Sequence, residues 1–212
     1  IKNQSPFHVV FLWINPSELN VVTEALLETG HDNIQRIHWA KVDNRPPTPS
    51  HRLCSVVEIA LLAYRKCSAN YSTYINLPQR LDDRHNIILG PGLHRYGRNG
   101  YDEKINIHEK PPYISEWVAD RFSTPVSKVL VLGSGAGGDV WGFMNAGRDV
   151  VAVEVDTKQM EAMWAIVLKF EPSSELHLIV TNQDLRLAKT EAQMEHEDSQ
   201  VDLCVKCLPE VK

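Results

Sequence analysis

Residues 128–156, KVLVLGSGAGGDVWGFMNAGRDVVAVEVD, decide the fold of this chain. An apolar run at 128–132 is followed by a glycine-rich turn at 133–138 and by a helical pattern at 139–146. A second apolar run, 149–153, comes next. Short apolar runs that alternate with helical segments are typical of parallel strands buried on both faces of a sheet. The stretch therefore predicts a strand, turn, helix and strand of an α/β protein.

The turn at 133–138 and the acid Glu154 together indicate a ligand site. Glycines lack Cβ atoms, so backbone N–H groups at the start of a helix can approach a bound group closely. Glu154 ends the second apolar run, where a carboxylate can accept two hydrogen bonds from a ribose diol. A turn used only for packing would also explain the glycines. The order of strand, glycine turn, helix, strand and acid favours a site for a nucleoside cofactor.

Outside this unit the pattern continues as α/β. Strands are expected at 9–13, 34–39 and 176–180, and 56–64 is either a strand or a helix. Helices are expected after Ser17, at 115–122 and after Thr157. The first should carry Leu19, Val22 and Leu26 on one face and end at Gly30, and the last should turn Met160, Trp164 and Val167 inward. We expect one domain over 1–212, with a long loop at 66–107 and a cofactor-binding half at 128–185.

Composition narrows the function. The 212 residues are 43% hydrophobic, and no apolar run reaches the roughly 18–20 residues that span a bilayer. We therefore expect a soluble intracellular protein without a signal peptide. The four cysteines are irregularly spaced, which indicates reduced thiols, and the lone Cys204-x-x-Cys207 pair does not predict a metal site.

Charge is distributed unevenly along the chain. The net charge of −5 argues against strong nucleic-acid binding by the whole protein surface. The segment 80–100 is nevertheless mildly basic, with Arg80, Arg84, Arg95 and Arg98, and Tyr96 lies among them. Long loops are rarely simple connectors. These five residues are therefore candidates for contact with nucleic acid or a protein partner.

Three separated blocks carry a resemblance to a known family. Residues 128–156 resemble motifs I and II of the amino-methyltransferases that act on DNA or RNA bases, and His108-Glu109-Lys110-Pro111 resembles the "KP" element that precedes motif I in the permuted members. Residues 11–44 are similar to the post-catalytic region of the adenine-N6 methyltransferases, including the pair Trp39-x-Lys41. The blocks occur in the permuted order, which is also that of bacterial N4/N6 DNA methyltransferases.

The resemblance implies a class I S-adenosylmethionine (SAM)-dependent methyltransferase fold, which is Rossmann-like with a mostly parallel, doubly wound sheet. It implies SAM as cofactor and adenine N6, or less readily cytosine N4, as the methylated group. The cofactor residues that it implies are Gly133, Ser134, Gly135, Gly137, Glu154, Lys110 and Asp184. Without the family, Lys110 reads as a solvated lysine, and Asp184 reads equally well as a helix cap.

Two departures from the family bear on activity. Val131 stands where the family usually has an acid before the glycine turn, and the Asp/Asn-Pro-Pro-aromatic motif that grips the target amine is absent from these 212 residues. The slot beside the motif I strand must still be filled, because an empty slot would expose unpaired strand edges. A strand upstream of Ile1 or the segment 201–205 could fill it. The chain is then an enzyme, with its catalytic residues unknown, or a catalytically inactive subunit that works beside a protein partner.

Overall fold

A computed structural model describes residues 9–42, 56–65, 77–78, 80, 84–92, 108–167, 176–180 and 203–207. The strands are β1 (Val9–Ile14), β2 (Asn33–Lys41), β3 (Val57–Tyr64), β4 (Ile87–Gly90), β5 (Lys128–Leu132), β6 (Asp149–Glu154), β7 (Leu176–Val180) and β8 (Leu203–Cys207). The helices are α1 (Leu19–Glu28), α2 (Pro112–Phe122), α3 (Gly138–Asn145) and α4 (Thr157–Val167), and a 3-10 turn, Pro16–Glu18, precedes α1. None of the described helices is long and apolar enough to cross a membrane.

The described strands form one eight-stranded sheet in the order β4-β2-β3-β1-β8-β5-β6-β7. Pairing is parallel from β1 through β8, β5 and β6 to β7, and also between β2 and β4. Strand β3 runs antiparallel to both of its neighbours, β1 and β2. The expected mostly parallel sheet is therefore present.

Strand β8 fills the slot beside the motif I strand. Its residues pair with β5 on one side, Leu130 with Cys204, and with β1 on the other, Trp13 with Cys207. Of the two ways to fill this slot, the structure shows the one that uses the segment expected at 201–205, with the described strand over Leu203–Cys207. The last of the described strands thus lies in the interior of the sheet.

Helices cover both faces of the sheet. Alternate residues of β1 point to opposite sides, so Phe11 packs in the cluster that holds α2 and α3. Val10 packs in the cluster that contains Leu26 of α1. Leu19 and Val22 join that cluster, as their helical spacing predicts. Helices on both faces of the sheet are the doubly wound arrangement.

Several local expectations need correction. The expected long loop at 66–107 contains β4 among its described residues, whereas the strand expected as one of two possibilities for 56–64 is formed over Val57–Tyr64. Asn15, not Ser17, caps the first helical turn, because its Oδ1 accepts the Ser17 amide at 3.2 Å. Asp156, not Thr157, caps α4, because its carboxylate accepts from Lys158 N at 2.9 Å and a charged acceptor suits a helix N-terminus. Trp164, expected inward, is 38% exposed.

Candidate functional site

The glycine turn joins β5 to α3 at the carboxyl edge of the sheet. The amides of Gly133 and Ser134 donate to the Val153 carbonyl at 2.9 and 3.1 Å, which ties the turn to the end of β6. Gly133, Gly135 and Gly137 have φ values of 67°, 59° and 98°. Side chains rarely adopt this left-handed region. The predicted turn is therefore formed, and it is fixed against the next strand.

Glu154 lies beside this turn and holds it. Its Oε2 accepts the Gly135 amide at 2.6 Å, and its Oε1 accepts the amides of Val155 and Asp156 at 2.7 and 2.9 Å. A carboxylate has about four acceptor positions, so three are occupied. One hydroxyl of a ribose could bind Glu154 directly, whereas a second would displace one of these amides. Gly133, Ser134, Gly135 and Glu154 are called the glycine-loop cluster below.

Two glycines of the turn also have packing reasons. A Cβ on Gly137 would lie 2.7 Å from Cγ of Met163, and a Cβ on Gly138 would lie 2.2 Å from the Lys110 carbonyl oxygen. Neither position can carry a side chain without displacing its neighbour. Their presence in the sequence is thus explained by packing, while the case for a ligand depends on Glu154 and the remaining amides.

Lys110 lies in a different part of the same edge. Its Nζ is 2.9 Å from Oε2 of Glu58 and donates to the His108 carbonyl at 2.9 Å. Glu58, near the start of β3, also pairs with Lys41 at the end of β2. Burial raises the pKa of Glu58, but the two lysines outweigh it and hold this pKa below its ordinary value. The solvated reading of Lys110 is wrong, because the residue is only 8% exposed.

Aromatic rings complete this second group. Lys110 Nζ lies 5.2 Å from the centroid of the Trp13 ring, and Lys41 Nζ lies 4.8 Å from that of Trp39. These distances are within the range of cation–π attraction. The two rings meet edge-on with centroids 6.0 Å apart. Trp13, Trp39, Lys41, Glu58 and Lys110 are called the Glu58 cluster below.

Asp139 in the first turn of α3 lies near both groups. It is buried, and its Oδ1 accepts the Ser115 hydroxyl of α2 at 2.5 Å. Burial raises the pKa of Asp139, although the Ser115 bond and the charge of Lys110 act in the opposite direction. A buried carboxyl at a helix N-terminus is partly compensated by the helix dipole. Asp139 therefore adds a titratable group beneath the edge.

The end of β8 lies between the two groups along the edge, since β1 and β5 flank it. The carboxyl ends of parallel strands meet at one edge, where ligands of open α/β sheets bind. The glycine-loop cluster, the Glu58 cluster and the end of β8 thus all lie at the edge of the sheet where ligands of this type of fold bind. Among the described residues, no group of His, Cys, Asp and Glu is arranged to hold a metal ion.

The remaining predicted residues are only partly placed. Arg80 and Arg84 are exposed, and Arg84 Nε donates to the Pro78 carbonyl at 2.7 Å. Arg95, Tyr96, Arg98 and Asp184 lie outside the described residues.

Comparison with known proteins addresses the fold. No protein-family model and no curated protein match the sequence. Among solved structures, the complex of M1.HpyAVI with SAM superposes with a TM-score of 0.60 at 19% identity, covering 76% of this chain and 74% of that one. A second crystal structure, of M1.HpyAVI, superposes with a TM-score of 0.55 at 17% identity, and the match covers 75% of this chain and 72% of that one. The chain has a class I methyltransferase fold. The fold expected from the resemblance is thereby confirmed.

Sequence reasoning missed three residues of this edge. Glu58 is the lone acid in the apolar run VVEIALLAY, and a charge inside a buried strand could have signalled a partner. Asp139 carries a weaker signal, because acids are common in first helical turns. Trp13 gives no signal in sequence, since an aromatic residue in a strand is ordinary core.

Proposed function

We propose that this chain is a SAM-binding methyltransferase domain that acts on exocyclic amino groups of nucleic-acid bases. The observation that carries the proposal is the glycine-loop cluster at the carboxyl edge of a class I methyltransferase sheet. There Glu154 retains a free acceptor position beside the amides that start α3. The M1.HpyAVI structure with the same fold contains SAM.

The residues fit this cofactor in part. Glu154 would accept a hydrogen bond from a ribose hydroxyl. The backbone of the turn formed by Gly133, Ser134, Gly135 and Gly137 would lie close to the cofactor, because three of these residues lack side chains. From the family resemblance, we assign Asp184 to a position near the adenine of the cofactor. On the same basis, we assign Lys110 of the Glu58 cluster to a position near the cofactor. Val131 supplies no acid for the charged end of the cofactor. The acid that follows the glycine turn is Asp139, which is buried in the first turn of α3.

The proposed substrate is adenine N6, with cytosine N4 second. When bound, SAM supplies an activated methyl group that the amine attacks in line, with loss of the sulfur leaving group and of one amine proton. The protein's part is to hold the amine against the methyl carbon and to exclude water. We place the target base on the β1 side of β8, where the Glu58 cluster offers aromatic faces and charge, and the base must be flipped out or single-stranded.

A specific observation favours a second function. Strand β8 lies beside the motif I strand, where members of the resembled family carry the motif that grips the target base. In this chain the strand ends at Lys206-Cys207, with neither an acid nor an aromatic residue. A missing contact at the reacting centre is not recovered by cofactor binding elsewhere. The alternative is therefore a catalytically inactive scaffold that supports a partner subunit.

Methyl transfer distinguishes the two functions. The chain is incubated with SAM labelled in the methyl group and with single-stranded DNA or RNA that contains adenine, cytosine or neither. Label transferred by this chain to adenine-containing strands alone supports the enzyme and contradicts the scaffold. Absence of transfer from a chain that binds SAM supports the scaffold.

We also propose that Arg80, Arg84, Arg95, Tyr96 and Arg98 contact nucleic acid or the partner. Replacing Arg95 and Arg98 with Glu should weaken complex formation, and the loss should be larger at low salt if phosphates are contacted. Binding that is unchanged at every salt concentration would make these arginines ordinary surface charge.

A further inference from the structure

The indole N–H of Trp13 is a buried donor without an acceptor in the part of the chain that the structure describes. Trp13 is 6% exposed, and its Nε1 has no hydrogen-bond partner among the described residues. Its neighbour Trp39 differs, because Trp39 Nε1 donates to the Tyr113 hydroxyl at 2.7 Å. Leaving a buried donor unpaired costs about 1–3 kcal/mol. A donor kept at this cost calls for an explanation, and an acceptor supplied by a ligand is one.

The position of Trp13 is that of a binding site. It is the last residue but one of β1 and pairs with Cys207, the last residue of β8. On its other side it pairs with Ala60 of β3, two residues after Glu58. The Lys110 ammonium lies 5.2 Å from its ring centroid. Trp13 is therefore the member of the Glu58 cluster that lies next to the end of β8, at the carboxyl edge.

The cofactor's ribose is too distant to be the acceptor. Trp13 lies on β1 and Glu154 on β6, and β8 and β5 separate these strands. Three strand spacings of about 4.8 Å place the two roughly 14 Å apart. An acceptor near Trp13 thus belongs to the molecule on the other side of β8, which is the substrate side in the proposed function.

A base is a better match for this donor than a phosphate. An indole N–H is a single neutral donor, and the nearest cation, Lys110, is already paired with Glu58 at 2.9 Å. Phosphate sites use unpaired cations and several donors. A ring nitrogen of a base accepts one hydrogen bond in the plane of the ring, which matches a single neutral donor.

We propose, on the basis of the function proposed above, that Trp13 determines specificity by donating its indole N–H to a ring nitrogen of the target base. Trp13 then acts as a specificity residue, because it recognises an acceptor atom on the base while the base amine faces the methyl group. A base without that nitrogen leaves the indole unpaired and binds less tightly.

The test removes base nitrogens one at a time. Single-stranded DNA with one adenine, or with 1-deaza-, 3-deaza- or 7-deazaadenine in its place, is bound to the full chain with S-adenosylhomocysteine present. One of the three analogues should bind about 5- to 100-fold more weakly than adenine, which is the cost of one unpaired buried donor. Trp13→Phe should bind adenine and that analogue equally. Trp164→Phe, which removes an exposed indole of α4 outside the Glu58 cluster, is the control and should still discriminate.

A second measurement uses the wild-type chain and therefore does not require that the Trp13 variant folds. The chain contains five tryptophans, so the indole ¹⁵N–¹H resonance of Trp13 can be followed in the wild type. It should shift with the adenine strand and not with the discriminated analogue. Equal binding of all four strands, with an unmoved Trp13 resonance, overturns the role of Trp13 and leaves the proposed function standing. No binding of any strand by a chain that binds S-adenosylhomocysteine overturns both the role of Trp13 and nucleic-acid recognition by this chain.

Discussion

Arg148 shows how one buried side chain completes a helix. Its Nε donates to the Ser123 hydroxyl at 2.9 Å, and its Nη2 donates to the carbonyls of Ala119 and Ser123 at 3.0 and 3.2 Å. Its Nη1 donates to the Ala146 carbonyl. The last carbonyls of a helix lack intrahelical donors. At the C-terminus of α2 the guanidinium donates to the Ser123 carbonyl and adds a further donor to the Ala119 carbonyl, which also accepts the Ser123 amide. The cation also suits the negative end of the helix dipole.

Arg148→Lys should therefore lower the free energy of unfolding by about 1–3 kcal/mol, because an ammonium cannot reach all of these acceptors and leaves some buried and unpaired. Urea denaturation measures the loss. The control is Arg36→Lys at an exposed position of β2, which should change little. Equal stability of the two variants would show that the Arg148 bonds contribute nothing specific.

Glu58 gives a prediction that depends on pH. Glu58→Gln leaves Lys110 without its charge partner, and we expect a loss of about 1–3 kcal/mol in unfolding free energy at neutral pH. The pKa of Glu58 is lowered from 4.5 in the folded chain, so its contribution is complete above 4.5. It is lost as the pH falls through the lower folded value.

The measurement is denaturation of the wild type and of Glu58→Gln at several pH values, with the exposed Glu24→Gln as control. The gap between wild type and Glu58→Gln should close on acidification. A gap that stays constant down to acid pH would mean that the variant acts through shape and not through charge.

At the scale of elements, the contact between α2 and α3 depends on small residues. Gly138 and Gly142 lie one helical turn apart, and a Cβ on Gly142 would lie 2.2 Å from the Pro112 carbonyl oxygen. The two helices can pack this closely only because Gly142 lacks a side chain, whereas Gly138 allows the close approach of the Lys110 carbonyl, before α2 begins.

Gly142→Ala separates two opposing effects. Alanine favours a helix over glycine by about 1 kcal/mol, but overpacking against the backbone of α2 costs about 1–3 kcal/mol. We expect net destabilisation, measured by thermal unfolding. Asn145→Ala, on the exposed end of the same helix, is the comparison, because it removes one exposed hydrogen bond to Glu116 of α2 without overpacking and should cost less. A stabilised Gly142→Ala would show that α2 moves aside at little cost.

The sequence predicted those elements whose signal is local. The motif I strand, its turn, α3 and β6 follow one another directly, so alternation of apolar and helical patterns was sufficient. The Glu58–Lys110 pair was not predictable, because it joins two distant segments and depends on the register that sets Trp39 opposite Glu58. Caps were misplaced by one or two residues, since Asn15 and Ser17, or Asp156 and Thr157, are all good capping types.

At the scale of the whole molecule, β8 connects two halves. It pairs with β1 and β5, so this strand joins the N-terminal strands to the motif I unit. This brings the glycine-loop cluster and the Glu58 cluster to one edge. In the function proposed above, the first would bind the nucleoside part of the cofactor and the second would face the target base.

The central claim is that Glu154 in this fold receives the ribose of a SAM-type cofactor. Calorimetry with S-adenosylhomocysteine and with its 2′-deoxy analogue tests it, using the wild type, Glu154→Ala and the exposed Glu161→Ala as control. Comparing the two ligands within each variant removes the effect of Glu154 on the turn itself. The wild type and the control should bind the complete ligand roughly tenfold more tightly than the deoxy analogue, and Glu154→Ala should bind both alike. A wild type that binds neither ligand, or a preference that survives in Glu154→Ala, would contradict the claim.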